Sequence, residues 1–319
     1  IYGVNNIKGK LPNILPKMGS YDKCTRQIRN KMVDLGLSET LSYVLVPEDE
    51  SKMFTKDDTE KVKLLAPLSE DKNTLRHSLS IALYKIYEYN KARNNKDVAI
   101  FEIGKTFQKV GEEYSETKKL AALMSGEYYL GIDKKKVDFY VIKGVAEEIL
   151  DYLGYNGRYS FVRNLEKLPE ELHPGQSAII SVNNDMVGII GKIHPQVEKE
   201  DVYILEIDLD RLLSKRVGKM KYKEISKFPN IKKDLSIVVD AKLPAQEIGM
   251  KIKKLAGSAL ESYEVFAVYT GKGIEEGKKS ISFSLTFGKS DRTLTDDEIN
   301  EVMNKIIAGL EKDLKAELR

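Results

Sequence analysis

A chain of 319 residues, 41% hydrophobic and 32% charged, has the composition of a globular protein of roughly two domains and excludes a low-complexity or fibrous chain. No apolar run approaches the roughly 18 residues that cross a bilayer, and no signal peptide opens the chain. A single cysteine, Cys24, excludes an internal disulfide and points to a reducing, cytoplasmic setting, while a net charge of +3 excludes a uniformly basic surface. The opening at Ile1 reads as mid-protein sequence and suggests a fragment of something longer.

From about residue 21 to 208, helices and strands alternate without a parallel-sheet signature. Ile28, Met32 and Leu35 mark a first helix that Gly36 ends. Residues 41–46 read as a strand stopped by Pro47. Leu75, Leu79, Leu83 and Ile86 mark a second helix running to about Asn90. Residues 98–107 and 120–125 read as consecutive strands around a turn at Gly111-Glu112-Glu113, hence antiparallel. Val141, Val145, Ile149 and Leu153 mark a third helix, stopped by Gly154. Short strands follow at 159–163, 178–182, 187–193 and 202–207. Strands joined by hairpins, with three helices, predict an α+β domain on an antiparallel sheet.

This stretch offers little chemistry. His77, His173 and His194 lack metal-ligand spacing, and His173-Pro174-Gly175 and His194-Pro195 read as turns at strand ends. There is no P-loop, no GxGxxG after a strand, no GxSxG and no HExxH. Glu102 is a lone carboxylate on a strand with no partner acid. No catalytic residue and no metal ligand is assigned.

Between residues 211 and 233 stand nine basic residues (Arg211, Lys215, Arg216, Lys219, Lys221, Lys223, Lys227, Lys232 and Lys233) and one acid, Glu224. Such a run is either a solvated linker or a surface that tracks phosphates. It leads into a strand at 235–240 with Leu235, Ile237 and Val239 on one face and Ser236 and Val238 on the other. A helix at 244–255 opens on Pro244 and repeats Ile248, Ile252 and Leu255. In the strand at 260–269, Phe266 and Val268 point one way, and Val265, Ala267 and Tyr269 the other. Gly271-Lys272-Gly273 and Gly277 form a hairpin loop to a strand at 280–287 in strict alternation. There Ile281, Phe283, Leu285 and Phe287 make a core face, and Ser280, Ser282, Ser284 and Thr286 a small hydroxyl-bearing one. A turn at 288–291 precedes a capping box, Thr295 to Glu298, and a helix with Ile299, Val302, Ile306 and Leu310 inward. Residues 316–319 can supply a short fourth strand. The order β-α-β-β-α is a ferredoxin-like split βαβ pattern, the RRM-like form. Its open face would carry Ser236, Ala267, Tyr269, Ser280, Ser282 and Ser284. That face either lies open to water in a plain α+β domain or takes a flat ligand such as an unstacked base.

Several stretches together resemble the C-terminal part of the bacterial phenylalanyl-tRNA synthetase β subunit. They are Ile1-Tyr2-Gly3-Val4-Asn5-Asn6-Ile7, Ala66-Pro67-Leu68-Ser69, Leu75-Arg76-His77-Ser78-Leu79, Phe101-Glu102-Ile103-Gly104 and His173-Pro174-Gly175-Gln176-Ser177-Ala178. Further on come Gly188-Ile189-Ile190-Gly191-Lys192-Ile193-His194-Pro195, Lys227-Phe228-Pro229, Tyr269-Thr270-Gly271-Lys272-Gly273-Ile274 and Asp291-Arg292-Thr293-Leu294-Thr295. Their order covers essentially the whole chain.

The resemblance implies an α+β fold in which a class II synthetase-like antiparallel sheet domain without activity precedes a ferredoxin-like anticodon-binding domain. It implies boundaries of 1–20 for the end of a preceding segment, 21–208 for the core-like domain, 209–226 for a basic linker and 227–319 for the anticodon-binding domain. A class II site needs an arginine on a strand for ATP and a glycine-rich strand with another arginine. Residues 188–193 hold two glycines without an arginine, and 205–211 an arginine without glycines. The chain alone is therefore expected to hold no cofactor, with ATP and magnesium used in a catalytic α subunit. Expected partners are that α subunit, in an α2β2 heterotetramer, and tRNA(Phe); no membrane is expected. The alternative is a stand-alone RNA-binding or regulatory paralogue. By the resemblance, anticodon contacts fall on Ser236, Ala267, Tyr269 and Ser280, with Lys232 and Lys233 as the basic approach. Family members commonly carry an acid at the position of Ala267, and alanine cannot accept a hydrogen bond from a base edge. Tyr269 keeps the stacking role.

Overall fold

The computed structural model describes residues 3–10, 13, 17–56, 58–130, 132–215, 217 and 226–319. They fall in two units, Ile1–Met220 and Lys221–Arg319. Ile1 and Tyr2 of the first matched stretch, and Arg216, Lys219, Lys221, Lys223 and Glu224 of the basic run, lie outside the described residues.

In the first unit, α1 (Ser20–Asp34) buries Ile28 and Met32 and ends where Gly36 takes a φ of 81°, a left-handed conformation that a Cβ resists. Seven strands form one sheet in the spatial order β1 (Ser38–Glu39), β4 (Val98–Val110), β5 (Glu113–Ser125), β11 (Val202–Asp208), β10 (Asp185–Ile193), β9 (Leu172–Val182) and β8 (Tyr159–Val162). Only the two-residue β1 runs parallel to its neighbour; the other pairings are antiparallel, as expected. One face packs Phe101, Leu120 and Leu205 against α1 and α3 (Phe139–Tyr152). The opposite face packs Ala121, Leu123 and Ile204 against α2 (Ser80–Lys91). A short helix, α4 (Leu209–Leu213), is capped by Asp208 and buries Leu209 and Leu212 in the first of these cores.

Three local expectations are corrected. Residues 41–46 do not form one strand: only β2 (Leu45–Val46) is extended, paired with β3 (Thr74–Leu75). Leu75 therefore belongs to a strand and the second helix starts five residues later, at Ser80. Thirdly, His173-Pro174-Gly175 is not a turn at a strand end but lies inside β9. There the register jumps from Gly191 opposite Ser177 to Ile193 opposite Leu172, so the intervening residues bulge. A hairpin of β6 (Glu127–Leu130) and β7 (Asp133–Lys136) is an addition to the expected set.

The second unit has β12 (Ile231–Asp240), α5 (Ala245–Ala256), β13 (Leu260–Tyr269), β14 (Lys278–Phe287), α6 (Asp296–Leu314) and β15 (Glu317–Leu318). Its sheet runs β13-β14-β12-β15, antiparallel throughout, so the expected short fourth strand is present beside β12. Leu235, Ile237, Val239, Ile281, Phe283 and Leu285 pack under Ile248 and Ile252 of α5 and Ile299, Ile306 and Leu310 of α6. The capping box at Thr295 and Glu298 is formed in both directions. One assignment on β13 changes. Val265 faces Phe283 and Ala267 faces Ser282, so Phe266 is an extra bulged residue. Val265 thus shares the helix-covered face with Phe283 rather than the open face with Ala267 and Tyr269.

Candidate nucleic-acid interface

Directly paired residues of an antiparallel sheet project to the same side, so the register defines the helix-free face of the second unit. Ser236 pairs with Ser282, which pairs with Ala267; Val238 pairs with Ser280, which pairs with Tyr269. Ser236, Ala267, Tyr269 and Ser280 therefore converge, and Lys232, opposite Thr286, stands on the same face. Lys233 does not: it pairs with Leu285, a core residue, and projects to the helix side. The two lysines grouped from sequence are separated by the strand's period of two.

Within this face the hydroxyls are already engaged. Ser236 and Ser282 share a hydrogen bond of 2.8 Å. Ser280, expected to be open, is only 2% exposed and accepts from Arg319 Nη1 at 3.1 Å. The Tyr269 hydroxyl donates to the carbonyl of Lys272 in the hairpin loop at 3.2 Å, which fixes one end of the ring while 42% of the residue stays exposed. An aromatic ring pinned at its polar end and open on the sheet surface is a platform on which a base can stack.

In the first unit a cavity of about 300 Å³ opens on the α2 side of the sheet, where Lys119, Gly188, Glu206 and Arg211 meet. The glycine and the arginine that stand apart in sequence are thus neighbours through the β10–β11 pairing. Arg211, about half exposed, and Glu206, buried, both make contacts within the chain. Arg211 donates to the carbonyl of Met186 at 3.0 Å and pairs with Asp185 and Asp208. Glu206 accepts from Ser78 Oγ (2.6 Å), Ser80 Oγ (2.8 Å), the amides of Leu79 and Ser80 (3.0 and 2.9 Å) and Lys119 Nζ (2.9 Å). Burial alone would raise its pKa, but the charge of Lys119 and the serine hydrogen bonds outweigh burial and hold it below the usual carboxylate range. Among the described residues no cluster of three His, Cys, Asp or Glu is placed to hold a metal ion.

Sequence reasoning missed a second buried charge pair. Arg76 and Glu102 meet at 2.9 Å with side chains 2% and 1% exposed. Arg76 Nη1 also donates to Ser42 Oγ at 2.6 Å, and the Arg76 amide to the carbonyl of Val44 at 3.0 Å, tying residues 42–44 to the sheet. Leu41 and Tyr43 of that segment are exposed, as are Leu65 and Leu68, whose loop is held by the Leu64 amide on the carbonyl of Asn73. The segments on either side of β3 are thus residues 45–46 and 62–64, and the exposed apolar residues lie a few positions beyond each.

Residues 7–209 match the family model described as the phenylalanyl tRNA synthetase beta chain CLM domain, and 226–319 that of the ferredoxin-fold anticodon binding domain. Over its whole length the chain is 35% identical to the phenylalanine–tRNA ligase beta subunit of Bacillus licheniformis, 34% to that of Bacillus subtilis and 31% to that of Geobacillus kaustophilus. It spans 41% of the length of each. A solved pyrrolysyl tRNA synthetase of Desulfitobacterium hafniense is a distant likeness, 15% identical over 61% of this chain and 68% of its own, with a TM-score of 0.46. By the family-model match over most of its length, this chain belongs to the phenylalanyl-tRNA synthetase beta chain family.

Proposed function

We propose that this chain is a non-catalytic portion of the β subunit of a cytoplasmic phenylalanine–tRNA ligase. It packs on a catalytic α subunit in an α2β2 assembly and binds the anticodon region of tRNA(Phe). In this reading 21–208 is the core-like domain, preceded by 1–20, and 209–226 joins it to the anticodon-binding domain at 227–319. Phenylalanine activation with ATP and magnesium belongs to the α subunit, which accords with Glu206 and Arg211 being engaged within the chain. The observation that carries the reading is the helix-free sheet face with Tyr269 exposed at the end of its edge strand, in a unit whose sequence matches an anticodon-binding family.

Binding of tRNA(Phe) at two salt concentrations tests it. Tyr269→Ala should weaken binding by roughly 1–3 kcal/mol, the range for one base–aromatic stack, with little salt dependence. Lys232→Ala should reduce the slope of log affinity against log salt by about one, as loss of one phosphate contact does. Lys233→Ala, on the far face, should leave that slope unchanged. If Tyr269→Ala binds as tightly as the parent at both salts, the sheet face is not the recognition surface.

The partner half of the reading rests on exposed Leu41, Tyr43, Leu65 and Leu68. Large apolar side chains left exposed on segments that flank the β2–β3 pairing fit an obligate subunit contact. Leu41→Glu with Leu68→Glu should shift stability by no more than about 0.5 kcal/mol, since surface changes rarely do more. Copurification with the α subunit should nevertheless be lost. Undiminished copurification of this double variant would place the contact elsewhere.

A further inference from the structure

The open face of the second unit holds a cation that stacking on Tyr269 alone does not use. The Arg319 amide donates to the carbonyl of Ser236 at 3.0 Å, which seats this residue at the sheet edge. From there its side chain crosses β12 to Ser280 on β14, with Nη1 to Oγ at 3.1 Å, and to the Tyr269 ring on β13, 5.5 Å from its centroid. Among the described residues Arg319 is paired with a hydroxyl and a ring, and with no carboxylate. The distance matters. On the first unit Arg93 lies 3.3 Å from the centroid of Tyr89, in close contact with one face of the ring. At 5.5 Å the Arg319 guanidinium lies over the Tyr269 ring without close stacking, and the residue keeps 42% exposure. A base that comes to stack on the ring meets the guanidinium at its edge.

The surrounding chemistry narrows what that base presents. Ala267 offers no acceptor, the Ser236 and Ser282 hydroxyls bond each other, and Ser280 is held by Arg319. The serine hydroxyls keep spare lone pairs but are already bonded and at least partly buried, so the charged hydrogen-bonding group beside Tyr269 is the Arg319 guanidinium, whose remaining N–H groups form a planar fork of donors.

On the reading that this face takes the anticodon region, we propose that Arg319 is a specificity-determining residue that donates to the acceptor edge of the base stacked on Tyr269. The matching edge is the adjacent O6 and N7 of guanine, which a guanidinium engages with two parallel hydrogen bonds. Base reading then comes from a donor at the sheet edge, where an acid at the position of Ala267 would have read a donor edge.

The test uses the whole chain and RNA hairpins carrying the anticodon loop of tRNA(Phe), whose codons UUU and UUC call for guanine as the first anticodon base. One hairpin keeps that guanine and the other carries 7-deazaguanine, which lacks the N7 acceptor. The parent should bind the guanine hairpin roughly tenfold more tightly than the 7-deaza hairpin. Arg319→Ala and Arg319→Met should bind the two hairpins alike, and no more tightly than the parent binds the 7-deaza form, which still offers O6. Arg319→Met keeps the length of the stem and the β15 backbone, so its loss of discrimination cannot be laid to a frayed strand. Absence of discrimination by the parent overturns the proposal. So do variants that still discriminate, whether they bind as tightly as the parent or lose affinity equally on both hairpins, the mark of a phosphate contact. Tyr269→Ala separates the two levels. If it binds the guanine hairpin like the parent, the functional reading falls together with this inference. If it binds weakly while the Arg319 variants keep their discrimination, only the inference falls.

Discussion

Glu206→Ala should destabilise the first unit by about 3–5 kcal/mol, the cost of removing one partner from a buried ion pair. Glu206 lies on the sheet at β11 and is 5% exposed, and Lys119, its ion-pair partner on β5, has little contact with water. The carboxylate also closes the N-terminus of α2, where the amides of Leu79 and Ser80 have no helical partner of their own. Alanine would leave two amides, two serine hydroxyls and a lysine ammonium without their acceptor. Glu206→Gln does not rescue this, because its amide must either turn a donor toward Lys119 or give up the serine and backbone donors. The folded pKa is depressed, so the contribution is fully present above the ordinary glutamate value of about 4.3 and is lost as pH falls from there through the folded value. Acid titration of the urea midpoint should therefore be flatter in Glu206→Gln than in the parent. Hydrogen exchange at Leu79 and Ser80 should accelerate at neutral pH in either variant. A midpoint equal to the parent's in Glu206→Ala would mean that water replaces the carboxylate at no cost, and the helix-closing role would be wrong.

Much of this architecture was legible because buried periodicity is a local signal. On β14 every second residue must pack under α5 and α6, so the serines and threonine are left on the other face, and register with β12 and β13 carries Ser236, Ala267 and Tyr269 to the same side. The capping box at Thr295 was readable for the same reason: both partners lie within one turn. What failed to show depends on distant residues. The bulge at Phe266 leaves no trace in composition, yet it moves Val265 to the opposite face. Residues 41–46 have the apolar pattern of a strand, but at 42–44 their hydrogen-bonding goes to the Arg76 side chain and amide rather than to a neighbouring strand. Glu102 looked solitary because its partner is 26 residues away and meets it only after β4 and β3 are in place. Arg319 has no periodic context at all; a two-residue strand sets its position.

Arg76→Ala should cost about 3–5 kcal/mol by leaving the Glu102 carboxylate buried and unpaired. The guanidinium is fully engaged: Nη2 to Glu102 at 2.9 Å, Nη1 to Ser42 Oγ at 2.6 Å and Nε to the carbonyl of Lys105 at 3.1 Å. Ser42 closes the knot by donating to the other oxygen of Glu102. The site admits the arginine only because residue 104 is glycine, where a Cβ would come within 2.6 Å of Arg76 Nη2. Such a knot can serve stability, or it can serve to hold residues 42–44, and with them Tyr43, in place on the proposed partner surface. A double replacement separates the two. Arg76→Met with Glu102→Leu removes both charges, so the desolvation cost disappears with the attraction; exchanges of this kind are commonly neutral or stabilising by about 1–4 kcal/mol. The double variant should therefore regain most of the urea resistance lost in Arg76→Ala. It should not regain the α subunit, because nothing then holds Ser42 and the exposed segment beside it. Recovery of copurification together with stability would show that the knot stabilises the sheet and has no part in displaying the surface. An Arg76→Ala variant as stable as the parent would mean that the buried pair contributes nothing to either.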